Sequence, residues 1–188
     1  DPLLRLDGAV AKANYEAVRQ RYLGYRAMQS RLFAEQAGRD VIDFHPDVKA
    51  AIKDPLISQQ MMTQQQLIQA RRAALSADLQ GIEESTQGFK EQLGSYQNIL
   101  VQRRSQLALL TEELTNTRGM VKEGYAPRNR QLELERMVAE SNAAIADLTG
   151  NSLRIQRQVA ELGQRSIARK QEYRKEVETL LADVTREV

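Results

Sequence analysis

Apolar residues recur along this chain in alternating steps of three and four, in a series that begins at Ile68. It continues through Arg72, Leu75, Leu79, Ile82, Thr86, Phe89, Leu93, Tyr96, Leu100, Arg103, Leu107, Leu110, Leu114 and Thr117 to Val121, and twelve of these sixteen positions are apolar. A mean step of about 3.5 residues keeps one stripe turned towards a partner helix, so the series predicts a coiled-coil seam with a gentle left-handed supercoil. A second series answers it: Leu134, Val138, Ser141, Ile145, Leu148, Ser152, Ile155, Val159, Leu162, Ser166, Arg169 and Tyr173. Beyond Tyr173 the pattern drifts towards Val177, Leu180 and Val184. Small polar seam residues such as the three serines lower stability but help to fix register. Between the series lies the short break RGMVKEGYAPRN, Arg118–Asn129. Two helices of matched length with a short connection predict an antiparallel hairpin. Each spans roughly 60 residues, hence roughly 90 Å at 1.5 Å per residue.

A shorter helical pattern precedes the hairpin. It runs from about Gly8 to Gln36, with an apolar stripe of Val18, Tyr22, Tyr25, Leu32 and Phe33 and a plausible stop at Gly38. Asp7 stands as its N-cap, and Leu3, Leu4 and Leu6 read as the remnant of a strand. Residues 39–55 are irregular: Pro46 and Pro55 break helices, and Asp40, Asp43, Asp47 and Asp54 favour turns and caps. A short helical turn is expected over Asp47–Lys53, and Asp54-Pro55 reads as a cap followed by proline at the first helical position. The expected fold is all-α, a long antiparallel coiled-coil hairpin with one additional shorter helix. Its parts are the remnant strand at 1–7, the first helix at 8–38, a linker at 39–55 and the hairpin at 56–188, with the tip at about 119–128. The first helix either folds alongside the hairpin's base or climbs in line below the second helix. Packing against the third helix near its C-terminal half is the favoured alternative.

Composition narrows the function. The 188 residues include no Trp and only three Phe, and the mean hydropathy is -0.54, which suits long solvated helices better than a thick globular core. Lys plus Arg is 27 and Asp plus Glu is 25, so the net charge of +2 makes a weak case for nucleic acid. The basic clusters Arg71-Arg72, Arg103-Arg104 and Arg128–Arg130 are separated by acids and lack interleaved aromatics. With no cysteine, disulfide scaffolds and thiolate metal sites are excluded; zero Cys fits the periplasm but also arises by chance in the cytosol. No apolar run reaches the ~18–20 residues that span a bilayer, and no signal peptide is recognisable. The opening DPLLRLD reads as a cut from a longer protein.

Candidate chemistry is sparse. His45 is the only histidine, and Asp43 and Asp47 beside it are more simply turn residues than co-ligands. No nucleophile triad can be assembled around it, and the pairs Glu83-Glu84 and Glu112-Glu113 read as solvated helix faces. The Gln-rich stretch SQQMMTQQQ, Ser58–Gln66, reads as a neutral outer surface. Gly81, Gly88, Gly94, Gly150 and Gly163 are either tolerated flexibility or points of close approach between hairpins. The break between the helices is either an ordinary loop or a docking surface. For the latter, Met120 and Tyr125 beside Arg118, Arg128 and Arg130 have the composition of an interface hot spot.

Three segments carry a resemblance. LLRLDGAVAKANYEA at Leu3–Ala17 resembles the segment by which periplasmic adaptor proteins leave the first half of a lipoyl-like domain and enter a helical hairpin. FHPDVKAAIKDPLISQQMMTQQQLIQARRAAL at Phe44–Leu75 resembles the inter-helix segment of the type I secretion branch, and VKEGYAPRNRQLELER at Val121–Arg136 its hairpin tip. The chain is identified as similar to the haemolysin-secretion adaptors, or membrane fusion proteins, most of all those of protease and lipase exporters.

The resemblance implies a non-enzymatic adaptor without cofactor, metal or catalytic residue. It would be anchored in the bacterial inner membrane by a segment absent here and would stand in the periplasm. It would link an ABC transporter to a TolC-type outer-membrane channel as a homo-oligomer, a hexameric ring, for one-step export of a secreted protein substrate, with no nucleic acid involved. The implied partner-binding residues are those of the tip: Arg118, Met120, Val121, Tyr125, Ala126, Pro127, Arg128 and Asn129. Related tips carry an Arg, a Leu and then a Ser or Thr. Arg118 or its neighbourhood would supply the base and Met120 or Val121 the apolar knob, while Pro127 replaces the hydroxyl residue. The competing reading is a cytosolic coiled-coil tether with no transport role.

Overall fold

The computed structural model describes residues 8–188, so the expected strand remnant and the Asp7 cap lie outside the described residues. Four helices follow in order: α1 (Gly8–Gln36), α2 (Pro46–Ala50), α3 (Pro55–Lys122) and α4 (Arg128–Glu187), with no strand among the described residues. The described residues form two compact units, 8–80 with 167–188, and Gly81–Ser166.

In the first unit α1 is a third bundle member beside the start of α3 and the end of α4. Leu23 and Ala27 of α1 are buried against Val48, Ala51 and Ile57. One face further round, Leu32 packs on Val177 and Val184 of α4, flanked by Tyr25, Met28 and Leu180. Ala34 closes on Ile42 and Ile68. α1 thus touches both long helices, not α4 alone. Full burial of a Leu or Val side chain contributes about 1.5–3 kcal/mol, so these few contacts fix α1.

Two members of the expected α1 stripe are not in it. Val18 is 68% exposed and Phe33 51% exposed, whereas Arg31 is 2% exposed. The exchange follows from charge pairing. Arg31 forms an ion pair with Glu35 one turn on and donates through Nε to Gln64 of α3 at 2.7 Å. Glu35 is also reached by Arg71 Nε at 3.1 Å and by the Tyr173 hydroxyl at 2.7 Å, and Arg71 goes on to Glu176 at 3.1 Å. The Arg71 guanidinium lies 5.3 Å from the centre of the Tyr173 ring. A buried carboxylate is tolerable only when its oxygens are paired and hydrogen-bonded in this way.

The caps are local. Gly38 has φ +68, its N–H donates to Glu35 and the Arg39 N–H donates to Ala34, the double closure that ends a helix through a left-handed residue. α2 is shorter than the expected turn and starts at Pro46, with His45 Nδ1 accepting from the Asp47 N–H. Asp54 accepts from the Leu56 N–H at 3.1 Å and opens α3 ahead of Pro55.

In the second unit the seam positions Thr86, Leu100, Leu114 and Thr117 of α3 and Leu134, Ser152 and Ile155 of α4 are buried. Most of the remaining counted positions there are half-buried; Arg103 is the exception, exposed and bonded to Gln106 on its own helix. Thr86 and Ser152 turn their hydroxyls back to the carbonyls of Ile82 and Leu148, which lets a polar side chain occupy the seam. A Cβ added at Gly81, Gly88, Gly94, Gly150 or Gly163 would meet no atom within 4 Å, so these glycines open outward.

Candidate partner-docking site at the hairpin tip

The connection between α3 and α4 is five residues long, Glu123 to Pro127. Gly124 makes it possible. With φ +81 it takes the left-handed conformation that L side chains resist, and two backbone bonds close around it. The Gly124 N–H donates to Val121 at 3.1 Å and the Tyr125 N–H donates to Met120 at 2.8 Å. Two of the carbonyls left over at the end of α3, those of Met120 and Val121, are thereby satisfied without side chains. On the far side Pro127 lies just ahead of α4, where its missing N–H costs nothing, and its carbonyl accepts from the Arg130 N–H at 3.1 Å.

The eight residues expected to form the site separate into distinct environments. Tyr125 is 80% exposed and Met120 46% exposed. Pro127, Arg128 and Asn129 are also exposed, whereas Val121 and Ala126 are half-buried, Val121 as the last member of the seam. Arg118 and Gly119 lie inside α3, so the glycine serves there as an ordinary helical residue. Tyr125 is thus a large, mostly exposed ring at the turn, and Met120 a partly exposed side chain on the last turn of α3.

The arginines are engaged. Arg118 donates through Nε and Nη2 to one oxygen of Glu135, at 3.1 and 2.8 Å. Gln131 Nε2 donates to the same oxygen at 3.0 Å. The Gln131 amide and the Arg118 guanidinium hold the Glu135 carboxyl below the usual carboxylate range. Arg130 divides its fork, Nη2 to Glu113 at 2.6 Å and Nη1 to Glu133 at 3.0 Å, and both carboxylates raise its pKa. Arg128 makes no direct ion pair among the described residues and feels Glu135 only through space. Glu113, read from the sequence as part of a solvated face, instead pairs with Arg130 across the hairpin, and Glu133 and Glu135 were not singled out from the sequence. The available signal was their place at the edges of the heptad seam, where interhelical ion pairs form.

Elsewhere, no group of three or more potential ligand side chains could hold a metal among the described residues. No described helix is long and apolar enough to cross a membrane. His45 caps α2 and stands 3.4 Å from Asp47.

Comparison with known proteins gives a consistent picture. Residues 11–188 match the family described as AprE, long alpha-helical hairpin. The alkaline protease secretion protein AprE of Pseudomonas aeruginosa is 33% identical over 183 residues, covering 97% of this chain and 42% of the relative. The proteases secretion protein PrtE of Dickeya chrysanthemi is 30% identical over 182 residues, covering 97% and 41%. The chain therefore spans less than half the length of these curated relatives. Among solved structures, the soluble domain of LipC, a membrane fusion protein of a type I secretion system, superposes with a TM-score of 0.92 at 30% identity, over 100% of this chain and 88% of that one.

Proposed function

Because the chain belongs to the family of AprE-type long α-helical hairpins, we propose that it is the hairpin portion of a type I secretion adaptor whose tip docks an outer-membrane channel. The adaptor makes and breaks no bond. It links an inner-membrane ABC transporter to a TolC-type channel, stands in the periplasm on an inner-membrane anchor, and assembles as a ring, a hexamer in this reading, around the exported protein. The observation that carries the reading is the match over residues 11–188 to a family whose curated relatives are secretion proteins. A cytosolic tether leaves that match unexplained.

The docking surface we assign is Met120, Tyr125, Ala126, Pro127, Arg128 and Asn129, with Val121 anchoring the turn from the seam. The apolar pair supplies buried area on contact, and the backbone groups of 126–129 supply directional bonds. The test uses the intact adaptor carrying Met120→Asp and Tyr125→Asp together. Expected is loss of secretion and of co-purification with the channel, with helix content and thermal stability unchanged. Normal secretion and normal channel capture by the double variant would overturn the assignment.

A further inference from the structure

Two features of the tip stand apart from the docking contacts. The ion pairs Arg118–Glu135 and Arg130–Glu113 each join residues 17 apart in sequence, one on either helix. They also lie at opposite edges of the seam. Glu113 immediately precedes the seam residue Leu114, and Arg130 precedes the half-buried Gln131; Arg118 immediately follows Thr117, and Glu135 follows Leu134. An antiparallel pair of helices brings like edges together, so the two bonds flank the last apolar layers on both sides.

Their direction matters as much as their placement. Arg118 is four residues from the end of α3, but its partner Glu135 is seven residues past the start of α4. Arg130 is two residues into α4, and its partner Glu113 is nine residues short of the end of α3. In both pairs the glutamate stands deeper in the hairpin than the arginine. Each guanidinium is drawn away from the loop, with two of its five N–H donors committed to carboxylates below it. Arg118 places two donors on Glu135 Oε1; Arg130 uses both terminal nitrogens.

We propose that Arg118 and Arg130 are positioning residues: they brace the two helices directly beneath the tip and do not themselves contact the channel. The inference rests on the tip-docking reading above and gives Arg118 and Arg130, which the sequence groups with the tip, a role beneath it. The loop is closed by backbone bonds alone, and the seam beneath it ends in one half-buried valine. Two lateral bonds on opposite edges resist the helices rolling or sliding against each other, which would displace Met120 from Tyr125. Such preorganisation lowers the cost of ordering the surface when a partner binds.

Charge reversal and charge exchange separate bracing from contact. In the intact adaptor, Arg118→Glu with Arg130→Glu puts like charges across both edges. Co-purification with the channel is expected to fall about five-fold, the effect of turning two modest attractions into repulsions. Adding Glu135→Arg and Glu113→Arg restores the pairs with opposite polarity, and capture and secretion are expected to return to within about two-fold of the wild type. A direct arginine contact predicts the opposite, because the channel then meets acidic side chains at 118 and 130 in both variants. Failure of the exchanged variant to recover, or a reversal that changes nothing, overturns the brace. The Met120→Asp, Tyr125→Asp variant run in parallel keeps the two readings apart. If it docks normally the tip reading fails, whatever the arginines do. Helix content and melting temperature are measured for every variant, and Arg118→Gln with Arg130→Gln gives an intermediate loss without introducing repulsion.

Discussion

The phenolic hydroxyl of Tyr173 donates to Glu35 Oε2 at 2.7 Å, a bond from α4 to the last turn of α1. Glu35 is 6% exposed and also serves Arg31 and Arg71, so the tyrosine is the only uncharged donor on a buried carboxylate. Tyr173→Phe removes a hydrogen bond to a charged group and is expected to destabilise the protein by about 1.5–3 kcal/mol. Glu35→Ala is worse, about 3–5 kcal/mol, because Arg31 is left buried with its ion-pair partner gone. Urea denaturation followed by circular dichroism ranks the two; a Glu35→Ala loss no larger than that of Tyr173→Phe contradicts the network.

The same bond gives an alkaline signature. Burial and the neighbouring Glu35 carboxylate push the Tyr173 phenol up to about 12 from an ordinary value of 10.0. A raised folded-state pKa means that the unfolded chain releases the proton first. The stabilisation is complete below pH 10 and is lost as pH climbs from 10 towards 12. Tyr173→Phe cannot titrate, so its stability is expected to fall less steeply across that interval than that of the wild type. Parallel slopes in melting temperature against pH for the two proteins count against the assignment.

Glycines should respond with opposite signs. Gly38→Ala forces a side chain into φ +68 and is expected to cost about 1 kcal/mol. Gly81→Ala and Gly88→Ala place a methyl in open space inside a helix and are each expected to add about 0.5–1 kcal/mol. Thermal melts of the three single variants suffice. A loss at Gly81 or Gly88 in the assembled adaptor but not in the isolated chain points instead to a neighbouring molecule against that face.

Two adjacent residues of α1 provide a contrast in packing. Leu32 is fully buried against Val177 and Val184, so Leu32→Ala is expected to cost about 2–5 kcal/mol. Phe33, one residue on and half exposed, is expected to lose less than about 0.5 kcal/mol on replacement by Ser. Denaturant midpoints at equal slope measure both, and a large loss at Phe33 shows that something covers it.

That contrast marks how far the sequence alone could be read. The seams were legible because a heptad repeat is a local signal renewed every seven residues, and Leu114, Leu134 and Ile155 lie where the count puts them. The caps at Gly38 and Asp54 were legible because each depends on its own residue type. The buried face of α1 was not. Hydrophobicity puts Phe33 inside and Arg31 outside, and only partners far along the chain, Gln64, Arg71 and Tyr173, reverse the choice. The tip's composition marked it as a surface. That Arg118 and Arg130 turn away from it depends on acids 17 residues distant across the hairpin, which no local window joins.

The closure of the turn around Gly124 makes few demands on heredity. Its two bonds run between backbone atoms of Met120, Val121, Gly124 and Tyr125, so glycine is the one side chain the geometry prescribes. Mutations at 120, 123, 125 and 126 can accumulate while the hairpin remains shut. A lineage can therefore exchange the chemistry it shows to its neighbour one residue at a time, with every intermediate still folding.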